Sequence, residues 1–212
     1  MLQIRWHGHA CWEITNDKTL VTDPHDGKSI GIQAPSVQGD IILVSHDHYD
    51  HNSVKTVEKE GSKVVTDPRK RTINDVEIRG IESFHDEAQG AKRGNNIIYQ
   101  FTMDGINFCH LGDLGHDLDE QTVHKIGRVD VLFIPIGGTF TVDDKKAWIL
   151  IEKIKPKIIV PMHYKIGGLS LPIAGIDPFL QQAKHKVHHV GNEIDIEKED
   201  LPDEPEIWTF TL

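Results

Sequence analysis

Cysteine is nearly absent: Cys11 and Cys109 are the two in 212 residues. They form no CxxC pair and no disulfide framework. Each sits in an apolar, strand-like run and reads as a buried, reduced thiol. Long apolar runs are missing too. None approaches the ~20 residues that cross a bilayer, so no membrane span is expected. The opening stretch MLQIRWHGHACWEI breaks its apolar residues with Arg5, His7, His9 and Glu13, which is unlike a signal peptide. The expected compartment is therefore the cytoplasm. Cations are outnumbered: 23 Lys and Arg against 33 Asp and Glu give a net charge of −10. That balance disfavours a broad grip on nucleic acid or anionic membrane and leaves room for a small basic pocket. No repeat at solenoid periods and no linker is visible. At 38% apolar the chain can fill a packed core, and residues 1–212 read as a single domain. A homo-oligomer is compatible with this composition.

The apolar pattern predicts strands first. LQIRW, ACWEIT and TLVTD are short β-like runs, with a turn at Asn16-Asp17-Lys18. DIILVS is continuously apolar, as a strand covered on both faces would be. A helix is expected through SVKTVEKEG, capped by Asn52 or Ser53 and ended by Gly61. SKVVTD and DVEIRGIESF read as strands, and NIIYQFTMDG and INFCHLGD as a hairpin turning at Asp104-Gly105. The rhythm then changes. DEQTVHKIG reads as helix, DVLFIPI as a buried strand, and TVDDKKAWILIEKIK as a helix opened by Thr141 and stopped by Pro156. KIIVPMH is a strand, and DPFLQQAKH is a helix with Asp177 as its N-cap. HKVHHV and EIWTFTL close the chain as strands. Two sheets inside with helices outside would accommodate this order.

Histidine is what the chain has in excess, 14 in all, clustered at the ends of apolar runs. The stretch SHDHYDH at residues 45–51 follows the apolar IILV directly. His46 and His48 are two apart, so on extended backbone their side chains leave on one side and can share a metal ion. Asp50 and His51 can hold a second. Imidazole and carboxylate with no neighbouring thiol suit Zn²⁺, with Mn or Fe as alternatives. Two ions need further ligands. Three more polar residues stand at the ends of apolar strands: His85 in IESFHDE, Asp113 in INFCHLGDLGH and His163 in KIIVPMHY. Gly112 before Asp113 would let the backbone approach closely.

This order of motifs, HxHxDH and then a distal His, a Gly-Asp and a late His, resembles the metallo-β-lactamase superfamily across almost the whole chain. GHACWEI, VTDP and HLGDLGH narrow the likeness to metal-dependent hydrolases near ascorbate-phosphate lactonase and the N-acylphosphatidylethanolamine phospholipase. The resemblance implies an α/β fold, the αββα four-layer sandwich, with the site at the strand ends along one edge. It implies that His46, His48 and His85 bind one metal, that Asp50, His51 and His163 bind another, and that Asp113 bridges them. The best-known β-lactamases carry Cys where this chain has Asp113, which argues against antibiotic hydrolysis as the main activity.

The expected function is a metal-dependent hydrolase. Hydroxide generated between two ions would cleave a small ester, lactone or phosphodiester, with Asp50 both ligating and orienting the water. The alternatives are a non-hydrolytic metal-binding or diiron redox member of the superfamily, or a nuclease. Lys92 and Arg93 in AKRGNN follow His85 and could hold a substrate phosphate or carboxylate; a solvated turn explains them equally. Gly138, in PIGGTFT, could offer a backbone N–H to substrate. His110 and His9 could orient a ligand from behind. The partner expected is a small, anionic molecule.

Overall fold

The computed structural model describes residues 1–212. The first runs become β1 (Leu2–Trp6), β2 (Trp12–Thr15), β3 (Thr19–Thr22), β4 (Gly39–Leu43) and β5 (Glu58–Val65). Next come β6 (Arg71–Ile73), β7 (Val76–Phe84), β8 (Asn95–Met103) and β9 (Ile106–His110). The rest alternates: α1 (Glu120–Ile126), β10 (Val131–Pro135), α2 (Asp144–Ile154), β11 (Ile158–Met162), α3 (Asp177–Gln181), β12 (Lys186–Gly191), β13 (Glu193–Ile196) and β14 (Glu206–Phe210). One sheet has the order β13-β1-β2-β3-β4-β5, the other β12-β14-β11-β10-β9-β8-β7-β6.

The two sheets pack face to face through one cluster of 45 buried residues drawn from both. Strands covered on both faces carry apolar residues throughout. In β4, Ile41 and Leu43 enter that shared core, while Ile42 joins Cys11, Val21, Val44 and Val57 on the outer side of the first sheet. Strands β10 and β11 are buried at every residue. The helices α1 and α2 are the crossovers between the parallel strands β9, β10 and β11. Helix α2 lays Ala147, Leu150, Ile151 and Ile154 onto the core. The outer layer over the first sheet is thin, with one 3₁₀ turn at Val54–Thr56. No helix is long and apolar enough to cross a membrane.

Three local expectations need correction. The helix expected through SVKTVEKEG is that 3₁₀ turn followed by β5, which pairs in parallel with β4. Val57 docks against the outer cluster, and β4 offers a free edge, so pairing outweighs the helical bias of Glu and Lys. Helix α2 is capped by Asp143, whose side chain accepts from the Lys146 N–H, and not by Thr141. Helix α3 starts with Asp177 as its first residue and Ile176 as its cap, and it ends at Gln181, short of the expected QAKH. The hairpin at Asp104-Gly105 forms, with φ of 47° and 74° there. A second one joins β6 to β7 through Asn74 and Asp75, at φ of 50° and 64°. Its first strand, β6, has only three residues, which hid the hairpin from a periodicity reading.

Direction explains where function can sit. Strands β1, β3 and β4 end on the same edge of the first sheet, since β1 and β3 both run antiparallel to β2. Strands β7, β9, β10 and β11 end together in the second. Tyr99 of β8 ties the sheets at this seam, its hydroxyl lying 3.1 Å from the Val44 carbonyl and 3.2 Å from that of Val65. Tyr99→Phe removes this tie with little change of volume, and we expect it to lower the unfolding free energy by about 1–2 kcal/mol in a denaturant titration.

Candidate metal centre

Each ligand-type side chain stands just beyond a strand end. His46, His48, Asp50 and His51 follow β4, His85 follows β7, Asp113 follows β9 and His163 follows β11. The fold brings all seven together. His46, His48 and His85 form one group whose ligand atoms lie within 4.8 Å of one another. Asp50, His51 and His163 belong to a second such group, which also contains His9. Asp113 lies between them. Its Oδ2 is 3.2 Å from His85 Nε2 and 3.8 Å from His46 Nε2 on one side, and 3.3 Å from His51 Nε2 and 3.2 Å from His163 Nε2 on the other.

This packing concentrates lone pairs and negative charge. Asp113 Oδ1, His46 Nε2 and His163 Nε2 are buried with no hydrogen-bond partner. Left so, each costs on the order of 1–3 kcal/mol, and a cation placed among them removes that cost. Without a metal, protons must serve. Burial opposes charge on His51, yet Asp113, Asp23 and Asp50 around it raise its pKa well above the usual imidazole value. Burial likewise opposes charge on Asp113, but His163 and His51 hold it well below the carboxylate range. Asp50 is also depressed, against its burial, by His51 and His9. His46, by contrast, is lowered to about 3, by burial and then by His51, so it stands as a neutral imidazole. The donor set, all nitrogen and oxygen, fits borderline divalent ions such as Zn²⁺.

Behind the ligands lies a carboxylate that the motif reading missed. Asp23 follows β3 and is fully buried. Its Oδ2 is 3.0 Å from His51 Nδ1 and 2.6 Å from Ser45 Oγ, and its Oδ1 accepts from the Ser45 N–H at 2.7 Å. Ser45 Oγ also lies 2.8 Å from His46 Nδ1. One carboxylate thus orients a histidine from each group, directly for His51 and through a hydroxyl for His46. The signal was present in TLVTD, a polar residue closing an apolar strand like the others. Asn96 was missed as well; its Oδ1 accepts the Asp113 N–H at 2.9 Å. Gly112 is required here. Its φ is 57°, and a Cβ would meet Asn96 Oδ1 at 2.3 Å and Ser45 Cβ at 2.7 Å.

The weaker expectations divide. His9 reaches the ligands, with Nε2 at 3.1 Å from Asp50 Oδ2, and its pKa is lowered to about 3 by burial and by His163. His110 touches no ligand. Its Nδ1 accepts the Gly112 N–H, so its Nε2–H donates to the Ala10 carbonyl at 3.0 Å, steadying the chain just after His9. Arg93 lines a cavity of about 640 Å³ that reaches His46 and His48, but its guanidinium also donates to the Thr139 carbonyl and lies 4.8 Å over the Phe140 ring. Lys92 is exposed. Their loop is built around Asp86, whose carboxylate accepts the backbone N–H groups of Ala88, Gly90, Lys92 and Arg93. Gly138 does not offer its N–H to substrate, because that group donates to the Val142 carbonyl within the same turn. Within HKVHHV the strand expected forms from Lys186 onward, and His188 Nε2 lies 3.0 Å from Glu206.

Asp23→Asn keeps the volume, and Asn tolerates the left-handed backbone found there, φ 37°. It removes the charge behind His51 and Ser45. We expect metal affinity, measured by competition with a chromophoric chelator, to fall about 10–100-fold while the far-ultraviolet circular dichroism stays unchanged.

Residues 3–163 match the pattern that defines the Beta-lactamase superfamily domain. A UPF0173 metal-dependent hydrolase of Thermococcus onnurineus is 30% identical over 190 residues, covering 77% of this chain and 85% of that protein. Another, from Thermoplasma acidophilum, is 30% identical over 192 residues, covering 79% and 85%. A crystal structure from Thermotoga maritima, described as belonging to the metallo-beta-lactamase superfamily, superposes with a TM-score of 0.82 at 36% identity, covering 99% of this chain and 98% of that one. The fold, the order of the strand-end residues and these likenesses agree: the chain belongs to the UPF0173 metal-dependent hydrolase family of the β-lactamase superfamily.

Proposed function

We propose that this protein is a hydrolase that uses two divalent metal ions, zinc first among the candidates, to cleave a small ester, lactone or phosphodiester. The observation that carries the reading is Asp113, a buried carboxylate with imidazole nitrogens of both groups within 3.8 Å of its Oδ2. His46, His48 and His85 would hold one ion, and Asp50, His51 and His163 the other, with Asp113 shared. Bound there, the ions would supply Lewis acidity, lowering the pKa of a water toward ~7 and drawing charge from the electrophile.

The chain's own groups do the positioning. Asp50 is 8% exposed, at the mouth of the second group, and stays ionised beside His51 and His9. An ionised carboxylate there can accept a proton from an attacking water and hold that water in line. Asp23 keeps the Nδ1–H of His51 engaged, so the Nε2 lone pair stays aimed inward. Substrate would enter from the cavity that reaches His46 and His48. Arg93 on its wall uses one side-chain donor on Thr139 and keeps others for a phosphate or carboxylate. This supports a small anionic substrate despite the net charge of −10.

A panel of chromogenic phosphodiesters, esters, lactones and thioesters, run with Zn²⁺, Mn²⁺ and Fe²⁺, tests the reading. We expect metal-dependent turnover and close to two equivalents of bound metal. One equivalent, left unchanged by Asp113→Ala, would refute the dinuclear arrangement. Asp50→Ala should abolish turnover more completely than it removes total metal, because His46, His48 and His85 remain. Arg93→Ala should weaken binding of a phosphate-bearing substrate by about 1.5–3 kcal/mol, read as a raised KM, and leave a neutral ester nearly unaffected. An equal loss on both would assign Arg93 to the Thr139–Phe140 contact alone.

A further inference from the structure

His9 is the one imidazole with a ring nitrogen among the ligands that lies outside the HxHxDH pattern and its three downstream partners. Its Nε2 is 3.1 Å from Asp50 Oδ2 and 3.1 Å from His51 Nε2, and those two atoms are 3.5 Å apart. Donor atoms held by one ion at about 2.1 Å are separated by roughly 3.0–3.4 Å, from octahedral to tetrahedral angles. The three atoms are therefore spaced like one face of a coordination shell. As a hydrogen-bond donor, His9 would have one proton to offer to two neighbours. As a ligand it satisfies both distances together.

Two further observations point the same way. His163 Nε2, in the same group, is buried and lies 3.2 Å from Asp113 Oδ2 without hydrogen-bond geometry. The backbone that carries His9 is also built to place it. His9 has φ 56°, directly after Gly8 at φ 91°. Such backbone is costly for a residue with a Cβ, and it persists where surrounding bonds hold it. Here the His9 carbonyl accepts from the Trp6 indole at 3.2 Å and from the His163 N–H at 3.1 Å. His163 is itself at φ 51°, and the two rings pack at a tilt with centroids 4.1 Å apart.

We infer that His9 is a direct ligand of the second ion through Nε2, completing a buried set of His9, Asp50, His51 and His163 with Asp113 shared. The inference rests on the metal-centre reading proposed above. It makes the two halves unequal. His9, His51 and His163 are at most 1% exposed, and the cavity that would admit substrate reaches none of them. In the other group His46 and His48 line that cavity, so an ion held there would be the one accessible to substrate.

The test is spectroscopic and needs no substrate. Protein labelled with ¹⁵N in its histidine rings is stripped of metal and reloaded with ¹¹³Cd²⁺. A ring nitrogen bonded to cadmium is split by one-bond coupling. We expect splitting on His46, His48, His51, His85, His163 and also His9. The His9 signal is assigned by its loss in His9→Gln, with His9→Asn as the second variant if the first does not fold. Splitting on the five other rings with His9 unsplit would overturn the inference and make His9 a hydrogen-bonding residue that positions Asp50. No splitting on any ring would overturn the metal-centre reading, and this inference with it.

Discussion

The Asp113 carboxylate is the constraint around which the site is organised. A fully buried anion is costly unless it is compensated, and here the compensation comes from imidazoles on three other strand ends. Four segments must therefore meet at one place: those after β7, β9 and β11 of the second sheet and the one after β4 of the first. The sheets can satisfy this because their relevant strands all end on the same edge. The position after β9 then needs a glycine, since Gly112 passes within contact distance of both Asn96 and Ser45.

Burial and charge act in opposite directions at every titratable group of this seam. Burial alone would neutralise Asp113, Asp50 and Asp23. Neighbouring histidines keep them ionised instead. The cost is borne by His51, which sits among three carboxylates and holds a proton strongly without metal. His46 and His9 are pushed toward the neutral form, chiefly by burial and by the neighbouring imidazoles His51 and His163. A divalent ion held at this candidate centre would take over the proton's role there.

The support is continuous with the fold. Asp23, Ser45 and Asn96 are ordinary strand-end residues, yet between them they fix His51, His46 and the Asp113 backbone. His110 supports the chain through the Ala10 carbonyl and not through a ligand-type side chain. The loop around Asp86 has a fixed shape that sets Arg93 on the cavity wall, though its guanidinium is partly committed to Thr139. The left-handed backbones at His9, Asp23 and His163 mark where this support holds strained conformations.

Much of this was legible in the linear chain. HxHxDH, His85, Asp113 and His163 each close an apolar run, and a polar ligand-type residue at such a position is visible without any structure. The continuous apolar character of IILV and VLFIPI correctly announced strands covered on both faces. What needed tertiary structure was anything set by a partner remote in sequence. Residues 58–61 joined the strand expected from Ser62 onward because β4 presented an edge, against their local helical bias. Asp23 acquired its role from a contact with His51, 28 residues away, and His9 from contacts 41 and 42 residues away. Gly138 lost its expected role to the Val142 carbonyl, a hydrogen bond that only the folded turn creates. The sequence by itself determined which chemistry the strand ends could carry, because side-chain type and apolar periodicity are local properties. Only the fold decided which of those groups share a centre and which support it from behind, because distances between strand ends depend on how two sheets pack.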